Sequence, residues 1–216
     1  MLQKVYLVLM FGFVIISLAT AQKENIKQTN NKPQPKATVK FAGQVKEKEE
    51  YAVFEAIAKE RFGNKNEQFV VISEKVSGCV FNIERLYIID ELEKSGFSKE
   101  ILKEMNKDCD KKKGNYQLKA NLFNRKIKIV LMSENQLAKF PYSNDCREGW
   151  KSFYGKYPES NGIMSLSRVG FNTEKNLAVV DFGNQRQCLD GNGQIIFLHK
   201  QNAGWKIIHT QPTWIS

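Results

Sequence analysis

Few side chains in this sequence could do chemistry, and their spacing sorts them. There are two histidines, His199 and His209, and four cysteines, Cys79, Cys109, Cys146 and Cys188. A cysteine beside a histidine can act as a nucleophile, but these cysteines form an even set at wide intervals. Zinc sites use close pairs such as C-x-x-C, so no metal is expected. Disulfides are expected for all four. Three connectivities are open and spacing does not choose among them; the working pairing is Cys79 with Cys109 and Cys146 with Cys188.

Other chemistry is sparse. Asp108-Cys109-Asp110 with Gly114 has the outline of a calcium loop, yet lysines occupy neighbouring ligand positions and no glutamate closes it. The sequence has no G-x-S-x-G, H-E-x-x-H, P-loop or dinucleotide fingerprint. No cofactor is implied. What remains is one acid or base in an apolar pocket, for which His209 and Asp181 are the candidates. A lone histidine among apolar neighbours is more often a hydrogen-bonded core residue, so a non-catalytic role is favoured.

The elements that would position these residues can be read in order. Val53, Phe54, Ile57 and Ala58 share one helical face, and Gly63-Asn64 closes that helix. Gln68 to Ser73 is a β-branched run and reads as a strand. Asn82 can cap a helix from Glu84 to about Lys94, and Ser98 a second one reaching Cys109. Ile127 to Met132 returns to strand, and Ser133 with Gln136 forms a capping-box signature. Asp145 with Glu148 is another, opening a helix on which Trp150, Phe153, Tyr154 and Tyr157 make an aromatic core stripe.

Strands then take over: Ile163 to Phe171, Leu177 to Phe182, Gln194 to Lys200, and Trp205 to Thr210 continuing irregularly to the end. The turns are expected at Asn172–Glu174, Asp190–Gly193 and Gln201–Gly204. Helices followed by a meander predict an α+β domain, with N-terminal helices on a curved antiparallel sheet. The last hairpin is expected to pair Lys200 with Trp205, Leu198 with Ile207 and Ile196 with His209. That register sets His199 and His209 on opposite faces and makes the final segment a covered, central strand.

Met1 to Ala21 carries Lys4, an uncharged run from Val5 to Leu18 and then Ala19-Thr20-Ala21. This is the order of a secretory signal peptide, with the mature chain expected to start at Gln22. No cysteine near that point suggests a lipid-modified terminus, and no further run is apolar enough to span a bilayer. Residues 22–49 are rich in Lys, Gln and Asn and read as a flexible basic spacer, leaving residues 50–216 as one domain. Formal charge is +10, from 33 basic and 23 acidic residues. Such a chain could meet an anionic surface. Nucleic acid is not expected, because no basic stripe alternates with stacking aromatics.

The segment from Trp150 to Ser216 includes WKSFYGKYPESNGIMSLSRVGFN, LAVVDFGN and GNGQIIFLHKQNAGWKIIHTQPTWIS. It resembles the C-terminal half of a family of uncharacterised secreted bacterial proteins. Their pattern has Trp and Phe before Tyr-Pro, a Ser-Arg-Val-Gly-Phe-Asn strand, a Gly-x-Gly hairpin, Gly-Trp-Lys and a final Trp-Ile-Ser. Relatives often pair two cysteines around the Gly-x-Gly turn, whereas this chain has Cys188 alone. The resemblance implies an exported protein, periplasmic or extracellular, and brings no activity with it. The element order is also similar to cystatin-like and nuclear-transport-factor-like cone folds, which host many unrelated functions. Two function classes follow. One is a non-catalytic binding or structural module of the cell envelope, meeting an envelope protein, an anionic surface or a small apolar ligand. The alternative is a small isomerase- or hydrolase-like enzyme working through His209 or Asp181.

Overall fold

The computed structural model describes residues 42–62, 70–78, 81–112, 116–124, 128–140 and 144–216. The expected signal peptide, most of the spacer and Cys79 lie outside the described residues. Helix α1 (Ala42–Phe62) begins within the expected spacer. Polar contacts account for this: Glu49 accepts the Trp205 indole N–H at 2.8 Å and pairs with Lys200 at 2.8 Å. A hydropathy reading cannot weigh such partners.

Strands β1 (Val70–Ser73) and β2 (Lys75–Val76) follow. Helices α2 (Ile89–Lys94) and α3 (Lys99–Asp110) come next, then β3 (Tyr116–Gln117), β4 (Ile129–Met132), α4 (Glu134–Lys139) and α5 (Cys146–Lys156). The chain closes with β5 (Ile163–Leu166), β6 (Gly170–Phe171), β7 (Leu177–Gln187), β8 (Asp190–Gln201) and β9 (Gly204–Ile215). Asn82 caps only a short 3-10 turn over Ile83–Arg85, and α2 is a separate helix. Ser98 caps α3, and Asp145 accepts from the Arg147 and Glu148 amides at the start of α5.

Among the described residues the main sheet has seven strands in the order β4-β1-β5-β7-β8-β9, with β6 also paired to β7. The five helices of the described residues precede the β7–β9 meander, so the class is α+β. The sheet is mixed: β1 is parallel to both β4 and β5, and the later pairings are antiparallel. Parallel neighbours need a crossover connection, and the helices between β1, β4 and β5 supply it. Strand β9 is an edge strand, paired to β8, and not a central one.

Alternation along the strands gives the sheet two apolar faces. Phe54, Ile57 and Phe62 of α1 pack on Ile72, Met164, Val180, Ile196 and Leu198. On the opposite face, Leu92, Phe97, Leu102 and Met105 cover Leu177, Val179, Ile195 and Phe197. Trp150, Phe153 and Tyr157 cover Val71, Met132 and Ile163 of that same face. At about 1.5–3 kcal/mol for each fully buried large side chain, these clusters hold the helices to the sheet.

The strand expected over Ile163–Phe171 is split into β5 and β6, and two further details depart from the expected meander. Asp190 to Gly193 belongs to β8, and the turn falls at Cys188-Leu189. Cys188 is bonded to Cys146 there, with Cα atoms 5.8 Å apart, which fixes this turn against α5. Cys109 is also disulfide-bonded. The second departure is a bulge in the last hairpin. Lys200 pairs with Trp205 and Leu198 with Ile207, but Phe197 pairs with His209 and Ile196 with Thr210. Ile208 is the extra residue, and a one-residue slip sends the side chains after it to the other face, up to a second shift at Gly193/Gln194. His209 therefore shares a face with His199.

Candidate functional site

The sequence candidates do not form a catalytic pair. Asp181 pairs with Ile195 and His209 with Phe197, on the helix-covered face opposite α1. Strand β8 separates them by two interstrand spacings, and their partners Ile195 and Phe197 stand two residues apart along it, so they lie about 12 Å apart. Burial pushes the Asp181 carboxyl above the ordinary range, partly offset by the Phe182 backbone N–H. The Ser167 hydroxyl oxygen accepts the Asp181 amide at 2.9 Å. Cys188, bonded to Cys146, has no thiolate to offer.

His209 meets a hydroxyl. Its Nε2 lies 2.7 Å from Ser95 Oγ, and the same hydroxyl donates to the Glu91 carbonyl at 3.1 Å. A serine has one proton to give. With that proton on the carbonyl, the imidazole N–H donates to Oγ; the other tautomer accepts the serine proton instead. The contact ties β9 to the end of α2.

The groove that could hold a ligand runs along α3. One part, about 220 Å³, lies between α3 and the turn joining β6 to β7, with Phe171 on its wall. A second part of about 340 Å³ includes Ser95, Ile101, Leu177 and His199, and shares Glu104, Asn172 and Thr173 with the first. Four lysines line the first part: Lys107, Lys111, Lys112 and Lys175.

Lys112 is committed to the fold. Its ammonium donates to Asp108 at 2.5 Å and to the Val169 carbonyl at 2.6 Å, and lies 4.9 Å from the Phe171 ring centre. The acids of the cleft are engaged as well. Asp108 accepts the Phe171 amide at 3.1 Å, Glu104 accepts the Thr173 hydroxyl, and Glu49 holds Trp205 and Lys200. Lys107, Lys111 and Lys175 are exposed. None of the three has an ion pair among the described residues.

The first two follow from α3 itself. Positions i and i+4 share a helix face, and cations at a helix C-terminus offset its unpaired carbonyls. That role explains Lys107 and Lys111 without any ligand. It does not explain Lys175, which arrives from another element with φ of 54°. Few non-glycine residues hold that backbone shape. Asn172 imposes it: its Oδ1 accepts from the Asn176 amide at 3.1 Å and the Leu177 amide at 2.9 Å, while its Nδ2 donates to Asn176 Oδ1 at 2.7 Å. Strain of this kind gathers at functional sites.

The cleft thus joins an apolar wall to three ammonium groups with no ion-pair partner among the described residues. It can take an anion attached to an apolar body. Sequence reasoning met the lysines after Cys109 only as a reason to discard a calcium loop. The i, i+4 spacing of Lys107 and Lys111 was a usable signal, whereas Lys175 required the tertiary fold. Compared with known proteins, the chain matches no family model, and no curated protein or solved structure is significantly similar to it.

Proposed function

We propose that this is an exported, non-catalytic binding protein of the cell envelope that takes a small anionic ligand with an apolar body. The carrying observation is the convergence of Lys107, Lys111 and Lys175 beside Phe171, with every acid of the cleft held by a partner other than these three lysines. Unpaired cations in a concave, partly apolar site concentrate anions from solution. A phosphate or carboxylate would sit among the ammonium groups, and its ring or alkyl part on Phe171.

Export has separate support. The first segment has the order of a signal peptide, and the Cys146–Cys188 disulfide suits an oxidising compartment. Among the described residues, no helix is long and apolar enough to cross a membrane. The resemblance of the C-terminal third to secreted bacterial proteins points the same way.

The test is equilibrium binding of 1-naphthyl phosphate, which carries both features. Saturable binding that weakens as salt rises, and weakens at least tenfold in Lys111→Glu with Lys175→Glu, is the expected result. Equal binding by wild type and double variant would remove the cleft from the account.

A further inference from the structure

We propose a second binding site, separate from the lysine cleft, in which Trp214 stacks a neutral pyranose ring of an oligosaccharide. Four strands bring Ser165, Gly183, Gly193 and Trp214 into one row across the sheet face opposite α1. Any side chain at Gly193 would run into the indole, and a Cβ at Gly183 would stand 3.3 Å from Trp214 Cζ2. The ring therefore lies down across the backbones of β8 and β7, a posture that only glycine permits.

This tryptophan differs from the other two. Trp150 and Trp205 are 4% and 9% exposed, while Trp214 keeps 42% of its surface in solvent. Its inner side rests on glycine and its outer side has no cover among the described residues. Neither apolar cluster includes a residue of the row. The α5 aromatics pack on Ile163, two residues before Ser165, and the α2–α3 group packs on Val179 and Ile195. Ser165 is exposed although β5 is an interior strand. The result is a trough between two helix packs, floored by backbone and a flat indole.

The chemistry of the row selects its occupant. None of its four residues carries charge, which argues against an ion. The Ser165 hydroxyl leans over Gly183 and has no partner among the described residues, and the Gln185 amide and Ser216 hydroxyl crowd over Gly191 in the next row. A rim of hydroxyl and amide groups argues against a purely apolar guest. A pyranose presents C–H groups for the indole face and hydroxyls for the rim, matching both halves of the site.

The experiment is a titration of the mature chain with soluble oligomers of glucose, N-acetylglucosamine and mannose, following the three indole N–H resonances. A saturable shift of the Trp214 signal with one of these series, while Trp150 and Trp205 stay still, is expected. Trp214→Ala should weaken that binding at least tenfold. Because losing the indole could loosen this end of the sheet, Ser165→Arg serves as a second variant: it fills the trough from an exposed position and should weaken binding tenfold with melting unchanged. The proposal is overturned if no series moves the Trp214 signal. It is equally overturned if that signal moves with protein concentration alone, which would make a second copy of the chain the occupant.

Discussion

Glu50 and Arg168, 118 residues apart in sequence, meet as a buried ion pair with Arg168 Nη2 2.8 Å from Glu50 Oε2. Glu50 is 1% exposed, also accepts the Val169 amide at 3.3 Å, and lies 3.6 Å from the Lys112 ammonium. Arg168 lies 4.2 Å from the centre of the Tyr116 ring. One carboxylate thus ties α1 to the β5–β6 corner and to the base of the lysine cleft.

Removing that carboxylate strands Arg168, while Lys112 keeps Asp108. Glu50→Gln should cost about 3–5 kcal/mol, the usual penalty for breaking a buried pair from one side. Replacing both Glu50 and Arg168 with apolar residues of similar volume should cost less than the single change. Chemical denaturation of the three proteins checks the order. A single variant as stable as wild type would show that the pair is not buried in solution.

The Cys146–Cys188 bridge closes a loop with a sequence separation of 42. On the loop-entropy account its loss destabilises by about 4 kcal/mol. Cys146→Ala with Cys188→Ala should therefore melt well below the oxidised protein, and reducing agent should have little further effect at that turn. Unchanged melting would mean that the Cys188-Leu189 turn is held by its strands alone.

Asp181 should make stability depend on pH with an unusual sign. Burial raises its folded-state pKa, so over the window above the ordinary carboxylate value the folded chain binds more protons than the unfolded one. Stability from this residue is then lost as pH rises through that window, starting near pH 4. Asp181→Asn should be more stable than wild type at neutral pH, and the gap should close toward acid. Parallel melting curves at all pH values would contradict the burial of this carboxyl.

Lys175 should trade stability for binding. Glycine adopts its φ of 54° without strain, so Lys175→Gly should gain up to about 1 kcal/mol. It should also bind 1-naphthyl phosphate several-fold more weakly. A variant that is both less stable and equally competent would show that Lys175 serves the turn and not the cleft.

Local signals were legible in the sequence, and distant pairings were not. The Ser98 and Asp145 caps and the Trp150–Tyr157 stripe rest on residues within two turns of each other, and all three appear as expected. Parallel pairing of β1 with β4 and β5 depends on chain returns through helices, which periodicity does not encode. The bulge at Ile208 is a single residue, yet it moved His209 to the face of His199. The start of α1 was hidden because Glu49 and Glu50 are held by Trp205, Lys200 and Arg168 from the far end of the chain. The lysine cleft was half visible: Lys107 and Lys111 share a helix face, but nothing local brings Lys175 to them.

The most direct measurement is a backbone amide NMR titration of the oxidised mature chain with 1-naphthyl phosphate. Saturable shifts confined to the end of α3, the Phe171 strand and the Asn172–Asn176 turn, lost in Lys111→Glu with Lys175→Glu, are the expected result. Shifts scattered over surface lysines, or confined to residues outside this cleft, would contradict it.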